Sequence, residues 1–176
     1  MKGFTLIESL TVVSIIIILS ALILPNYRLG EQKFALENAM AVLNRNLRLA
    51  EEMAMSSKQF NGIIPRGGYG IHVDNNADSY IIFADCGSNP DHHYTPAGND
   101  CNGFPELIET VNLGEQVKIS GLAPSSPLDI VFAAPKPTVI ISGPGNEAAI
   151  TISLKTDLTK VKIIKVNTAG LIEVTQ

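Results

Sequence analysis

Glu8 is the first residue whose type and place ask for chemistry. It is the one charged side chain between Phe4 and Leu24, a stretch otherwise built from apolar and hydroxyl residues. An ionisable group in such a segment costs roughly 2.5–3.5 kcal/mol on membrane-insertion scales, so it needs a partner. The cysteines come next. Cys86 and Cys101 are the whole supply, and they bracket most of a long polar run, "DCGSNPDHHYTPAGNDCNGFP", residues 85–105. A disulfide closing a loop of this size removes roughly 3 kcal/mol of unfolded-state freedom. The alternative is a zinc site from Cys86, His92, His93 and Cys101. Its spacing, C-x5-H-H-x7-C, departs from the usual ligand patterns.

The same run holds Asp85, Asn89, Asp91, Asn99, Asp100 and Asn102. These are the oxygen donors that Ca2+ takes, with Asp85, Asn89, Asp91 and Asp100 as the candidate metal set. They do not follow the EF-hand pattern, and Asn and Asp equally suit turns. Two cofactor outcomes therefore stay open, none or Ca2+. His72, His92 and His93 stand at no recognisable nucleophile–base spacing, so the chain reads as not an enzyme. "GGYG" and "GPGN" lack the strand-to-helix context and the lysine of a phosphate loop, and read as turns. Lys155, Lys160, Lys162 and Lys165 suggest a basic strand, but strand alternation splits them between two faces. With 6% aromatics and no Trp, nucleic acid is an unlikely partner.

These residues need elements to position them. The chain has 176 residues, of which 45% are hydrophobic, and a net charge of −4. That suits one ordinary domain with an appendage. Residues 4–24 as a helix span roughly 32 Å, about a bilayer's hydrocarbon thickness. The end of this run, "LSALILPNY", lacks the small-x-small site of a cleaved secretory signal, so it is expected to stay as a transmembrane anchor. Beyond Pro25, Leu36, Met40, Leu43, Leu47, Ala50 and Ala54 recur on one helical face, with Glu31, Asn38, Arg45 and Glu52 opposite. Pro25 is expected to bend the junction. Gly62, Pro65, Gly67 and Gly68 then break the helical period.

Strands are predicted at "GYGIHVD" and "SYIIFAD", joined by "NNAD", and then at about 107–112, 115–120, 128–133, 137–142, 148–154, 161–166 and 171–175. The expected fold is α+β. A long N-terminal helix, half transmembrane and half amphipathic, packs on a small antiparallel β-sheet or sandwich domain. The expected divisions are 1–3 leader, 4–24 transmembrane helix, 25–60 amphipathic helix and 61–176 β-rich extracytoplasmic domain. Paired cysteines beyond an anchor fit an oxidising compartment.

"MKGFTLIE" resembles the leader and first mature residues of type IV pilins and of type II secretion pseudopilins. The resemblance implies that prepilin peptidase cuts between Gly3 and Phe4 and that Phe4 becomes N-methylated. It makes Glu8 the fifth mature residue, where the family keeps an acid, and it matches Pro25 to the proline at the end of the family's apolar segment. The stretch from "DIVFAAPKPTVIIS" to "VNTAGLIEV" is similar to the β domain of H-type minor pseudopilins. Some pseudopilins bind Ca2+ in a loop, which is the family's bearing on 85–105. In the family Glu8 pairs with another subunit's Phe4 amine, an attraction strengthened in a low-dielectric layer. Pairing within one chain, one helical turn apart, is the alternative.

The implied function is a minor pseudopilin or minor pilin of a secretion pseudopilus or a type IV pilus. Its partners would be other subunits, prepilin peptidase and the inner-membrane assembly platform. Its location would be single-pass in the inner membrane before assembly and in the filament afterwards. A major pilin and an extracytoplasmic binding module on a plain anchor are the alternatives, with a DNA-uptake pilin behind them.

Overall fold

The computed structural model describes residues 5–87, 90–98, 100–134 and 138–175, with the backbone alone over residues 22–29. The chain divides into two compact units, Met1–Phe34 and Ala35–Gln176. The helix assignment, α1, runs Leu6–Met55.

The expected architecture of a long helix with a membrane-crossing first half, packed on the β domain, needs correction. Among the described residues no helix is long and apolar enough to cross a membrane. The single-pass anchor drawn from the sequence spans residues 4–24, of which Phe4 and the side chains of 22–24 lie outside what is described.

At the start of the first unit Thr5 O accepts from the N–H groups of Glu8 (3.1 Å) and Ser9 (3.2 Å). Glu8 Oε2 accepts from Thr5 N (3.5 Å) and from the Thr5 hydroxyl (3.3 Å). This is one half of a T-x-x-E capping box: the acid reaches back to the N-cap N–H, while the hydroxyl donates to that acid.

In the second unit the helix buries the face that its period marked. Leu36, Met40, Leu43, Leu47, Ala50 and Ala54 are buried, and Asn38, Arg45 and Glu52 are exposed, as is Glu31 in the first unit. The helix ends in a Schellman-type closure. Lys58 N donates to Met53 O and Ser57 N to Ala54 O, both at 3.0 Å, with Ser57 at positive φ.

Among the described residues nine strands follow: β1 Gly68–Val73, β2 Ser79–Asp85, β3 Leu107–Asn112, β4 Val117–Ala123, β5 Leu128–Ala133, β6 Thr138–Ile141, β7 Glu147–Leu154, β8 Val161–Asn167 and β9 Ile172–Thr175. They form two antiparallel sheets, ordered β3-β2-β1-β5-β6 and β4-β7-β8-β9. The α+β class and the strand positions agree with the sequence reading, except that β4 starts and ends later than expected. A bulge between Ile119 and Gly121 lets it run on past Gly121 to Ala123.

The core is one cluster of helix and sheet residues. Tyr69, Ile71 and Val73 of β1, Tyr80, Ile82 and Ala84 of β2, and Leu128, Ile130 and Phe132 of β5 are all buried in it. Strand alternation sends their neighbours, His72, Phe83, Asp85 and Asp129, to the opposite face of the first sheet. Asn46 on the helix donates to Tyr80 Oη at 2.8 Å, which fixes the helix against the first face. Burial pushes the Tyr80 hydroxyl up to about 12.

Candidate functional site

Of the residues assigned to processing and assembly, Gly3 and Phe4 lie outside the described residues, as does the side chain of Pro25. Glu8 is exposed, and both of its side-chain contacts are to neutral groups of Thr5. Around it Leu6, Ile7, Leu10, Val13 and Ile16 are exposed too, so the first unit presents an apolar surface with one acid in it.

Cys86 and Cys101 form the expected disulfide, with Cα atoms 5.1 Å apart and both residues buried. The zinc alternative falls, since both sulfurs are bonded to each other. The oxygen-donor set is not brought together. Asn89 lies outside the described residues. Asp85 is buried and accepts from His92 N at 3.0 Å, Asp91 accepts from His93 N at 3.0 Å in a local turn, and Asp100 is exposed. Among the described residues no group of three or more His, Cys, Asp or Glu side chains could hold a metal ion.

The long loop is instead docked on the face of the first sheet that the helix leaves open, and buried carboxylates hold it there. Asp129 on β5 is the centre. Its cross-strand partner in β1 is His72, whose Nδ1 lies 2.7 Å from Asp129 Oδ1. His93, from the loop, places Nδ1 2.9 Å from Asp129 Oδ2. A carboxylate only accepts, so each Nδ1 carries the proton and each imidazole is fixed in orientation. Burial opposes ionisation of Asp129, but the hydrogen bonds from His72 and His93 outweigh it and hold the carboxyl below its usual range. Burial likewise works against a charged His72. Asp129 and, at 3.6 Å, Asp74 prevail and raise its pKa.

Next to His93 in sequence, the Tyr94 ring packs against His72 (centroids 5.1 Å apart) and Phe83 (5.6 Å). Phe83 can lie flat there because β1 has Gly70 beneath it, where a Cβ would meet the ring at 2.9 Å.

Two further acids hold the ends of the loop. Asp85 closes β2. Burial pushes its carboxyl up, and the N–H of His92 pulls it partly back. Gly67 leaves room for it, since a Cβ there would overlap the Asp85 carboxylate. Glu106 is 2% exposed and accepts from Thr95 N at 2.9 Å. Burial drives its carboxyl up to about 7, helped by the charge of Asp85 and opposed by the N–H groups of Thr95 and Cys86.

None of the three histidines hydrogen-bonds a hydroxyl or thiol among the described residues. The arrangement fixes a loop. It lacks the nucleophile–base contact of a hydrolase. The sequence reading missed this network, although it left a trace. Asp129 is the one charged residue in the strand "LDIVFA", and His72 the one ionisable group in "GYGIHV" that alternation sends away from the helix.

The four C-terminal lysines are each compensated. Lys155 pairs with Asp78 (2.9 Å), Lys160 with Asp157 (3.9 Å), Lys162 with Glu37 (3.8 Å) and Lys165 with Glu147 (2.8 Å). No family model, curated protein or solved structure matches the chain.

Proposed function

We propose that the chain is a structural subunit, a minor pseudopilin or minor pilin, of a type II secretion pseudopilus or a type IV pilus. One observation carries the reading. Glu8 stands as the sole acid on a helical segment whose apolar side chains face solvent, Leu6 at 85% exposure and Leu19 still at 52%. So much exposed apolar surface needs a cover, and neighbouring copies of the same kind of segment supply one. Glu8 is held in its own chain only by long contacts to neutral groups. The cationic amine created by a cut between Gly3 and Phe4 on a neighbouring subunit is a stronger partner.

Catalysis plays no part in this role. The partners are other subunits, the peptidase that cuts the leader and the platform that drives assembly. The disulfide favours an oxidising, extracytoplasmic setting for the β domain, and the filament after assembly. The paired lysines favour a role without nucleic acid.

The test is to shear filaments from native cells and quantify this chain's N-terminal peptide by mass spectrometry, alongside Glu8→Ala. A trace amount of peptide beginning at methylated Phe4 is expected, with leader cleavage intact and incorporation lost in the variant. Abundant peptide would identify a shaft-forming major pilin instead. Normal incorporation of the variant would refute the role of Glu8. The rigidly docked loop favours a second reading, an extracytoplasmic binding module. An uncut N-terminus at Met1 would select it.

A further inference from the structure

The sequence contains two Asn-Gly pairs, Asn61-Gly62 and Asn102-Gly103, and no others. Each forms the two-residue turn of a minimal hairpin. Phe60 and Ile63 exchange backbone hydrogen bonds of 2.8 and 3.1 Å, and Cys101 and Phe104 exchange bonds of 3.1 and 3.2 Å. All four central residues have positive φ, 49° and 83° in the first turn and 58° and 86° in the second. That is the primed turn that Asn-Gly favours. All four are exposed.

The two turns touch. Asn102 Nδ2 donates to Asn61 O at 3.0 Å. The acceptor belongs to the planar peptide unit that joins Asn61 to Gly62, so the bond also fixes where the Gly62 nitrogen lies. That nitrogen has no hydrogen-bond partner of its own among the described residues.

An asparagine followed by glycine can react with its own backbone. The Gly62 nitrogen attacks Asn61 Cγ, and the new C–N bond closes a succinimide ring. The Cγ–Nδ2 bond breaks, and Nδ2 leaves as ammonia with the proton given up by the Gly62 nitrogen. Water then opens the ring at either carbonyl. One product is aspartate. The other is isoaspartate, whose main chain runs through the former side chain and leaves the α-carboxylate free. Glycine permits the attack because it has no Cβ to block the approach. In the left-handed turn the Gly62 nitrogen is turned away from the Asn61 side chain, so the peptide unit must swing round in a local opening before the ring can close. That swing breaks the bond from Asn102.

We propose that Asn61 is a site of succinimide and isoaspartate formation, and that the Asn102 side chain restrains the reaction by holding the peptide unit between Asn61 and Gly62. The first turn is the reactive one. The second opens on Cys101, which is fully buried and disulfide-bonded, whereas Phe60 at the same place in the first is only partly buried. Isoaspartate adds a carbon to the main chain of the turn, which breaks the Phe60–Ile63 pairing and leaves a carboxylate open to methyl esterification.

The full chain is incubated in mildly alkaline buffer, and trypsin then releases residues 59–66, QFNGIIPR, between Lys58 and Gly67. Mass spectrometry follows amide-to-acid conversion in that peptide. Transfer of labelled methyl groups from S-adenosylmethionine by a protein isoaspartyl methyltransferase counts the isoaspartate. Asn102→Asp and Asn102→Gly both remove the donor and both accept a left-handed conformation, so the second turn is kept. Wild type should convert at Asn61 more slowly when folded than in urea. Both variants should convert about fivefold faster than wild type when folded, the worth of one net hydrogen bond. In urea all three chains should react at one rate, which separates the restraint from the intrinsic chemistry. Equal folded-state rates in wild type and variants overturn the restraint, as does a gain confined to a variant that circular dichroism shows to be unfolded. No conversion at Asn61 in any folded chain overturns the site.

Discussion

Replacing Glu106 by glutamine should make this protein more stable in mild alkali and leave it nearly unchanged in mild acid. Glu106 is 2% exposed, and its carboxyl sits at about 7 against an ordinary 4.5. The folded state therefore holds the proton more tightly than the unfolded chain does. The stability from this group is fully present below pH 4.5 and is lost as pH rises through about 7. A shift of this size corresponds to roughly 3 kcal/mol in a fully desolvated site, and to about 1–2 kcal/mol once screening at the margin of the loop is allowed for. Glutamine keeps an oxygen to accept from Thr95 N and never ionises. Urea denaturation of the full chain, followed by circular dichroism at pH 5 and pH 8, measures the difference. The wild type should weaken across that interval by about 1–2 kcal/mol more than Glu106→Gln. Asp85 and His72 also have raised pKa values and so lose stability in the same direction, but they titrate in both proteins and cancel. Parallel pH profiles for wild type and variant would show that Glu106 ionises freely in the fold, and would refute the reasoning.

Asp129→Asn removes the negative charge and one of the two acceptor oxygens that His72 and His93 use, and sets an amide NH2 against the other imidazole. Breaking such a buried pair should cost roughly 3 kcal/mol near pH 6, and NMR titration should find the His72 pKa lowered. The share contributed by Asp129 has the opposite pH sign to Glu106. Its carboxyl is held below 3.8, so that stability is present above 3.8 and disappears only as acid titrates the folded carboxyl. The two signs together place maximum stability in the mildly acidic range, which the same denaturation series will locate. Replacing Cys86 and Cys101 by serine should cost roughly 3 kcal/mol, read as a lower urea midpoint. Leu47→Ala, at a fully buried position of the helix, should cost about 2–5 kcal/mol, while Leu49→Ala, 39% exposed two residues on, should cost under about 1 kcal/mol.

Periodicity made much of the β domain legible. The alternation in "SYIIFAD" and the turn residues beside it mark β2 as soon as the period is counted, and the face from Leu36 to Ala54 follows from steps of three and four. Those signals are local, and local signals survive folding. The disulfide was legible because two cysteines allow only one pairing. The docking network was not, because His72 and Asp129 stand 57 residues apart. Their contact depends on the β1–β5 register, and that of His93 on the path of an aperiodic loop. Residues 4–24 are a different case. Composition made that run read as a membrane span, and among the described residues no helix is long and apolar enough to cross a membrane. The reach of Glu8 back to Thr5 N was written in the sequence as T-x-x-E and passed over, because the acid was judged by its apolar neighbours and not by its distance from a helix start.

The first sheet explains why so many acids are buried in so small a domain. One face meets the helix and is apolar throughout, so burial alone holds it. The other face must be covered by residues 86–106, a stretch too polar to supply comparable apolar area. Only Tyr94 packs there as a large ring, against Phe83 and His72. The remaining attachment comes from directed bonds to Asp85, Glu106 and Asp129, and directed bonds hold in the interior only when every acid is satisfied. Asp129 obtains two imidazole donors and can remain charged. Glu106 obtains backbone N–H groups alone, close to the charge of Asp85, and keeps its proton instead. The disulfide then limits how far the loop can depart when one of these bonds fails. Loosening of the loop should therefore begin at Glu106 as pH rises, with the His93–Asp129 contact persisting after the Thr95–Glu106 contact has gone.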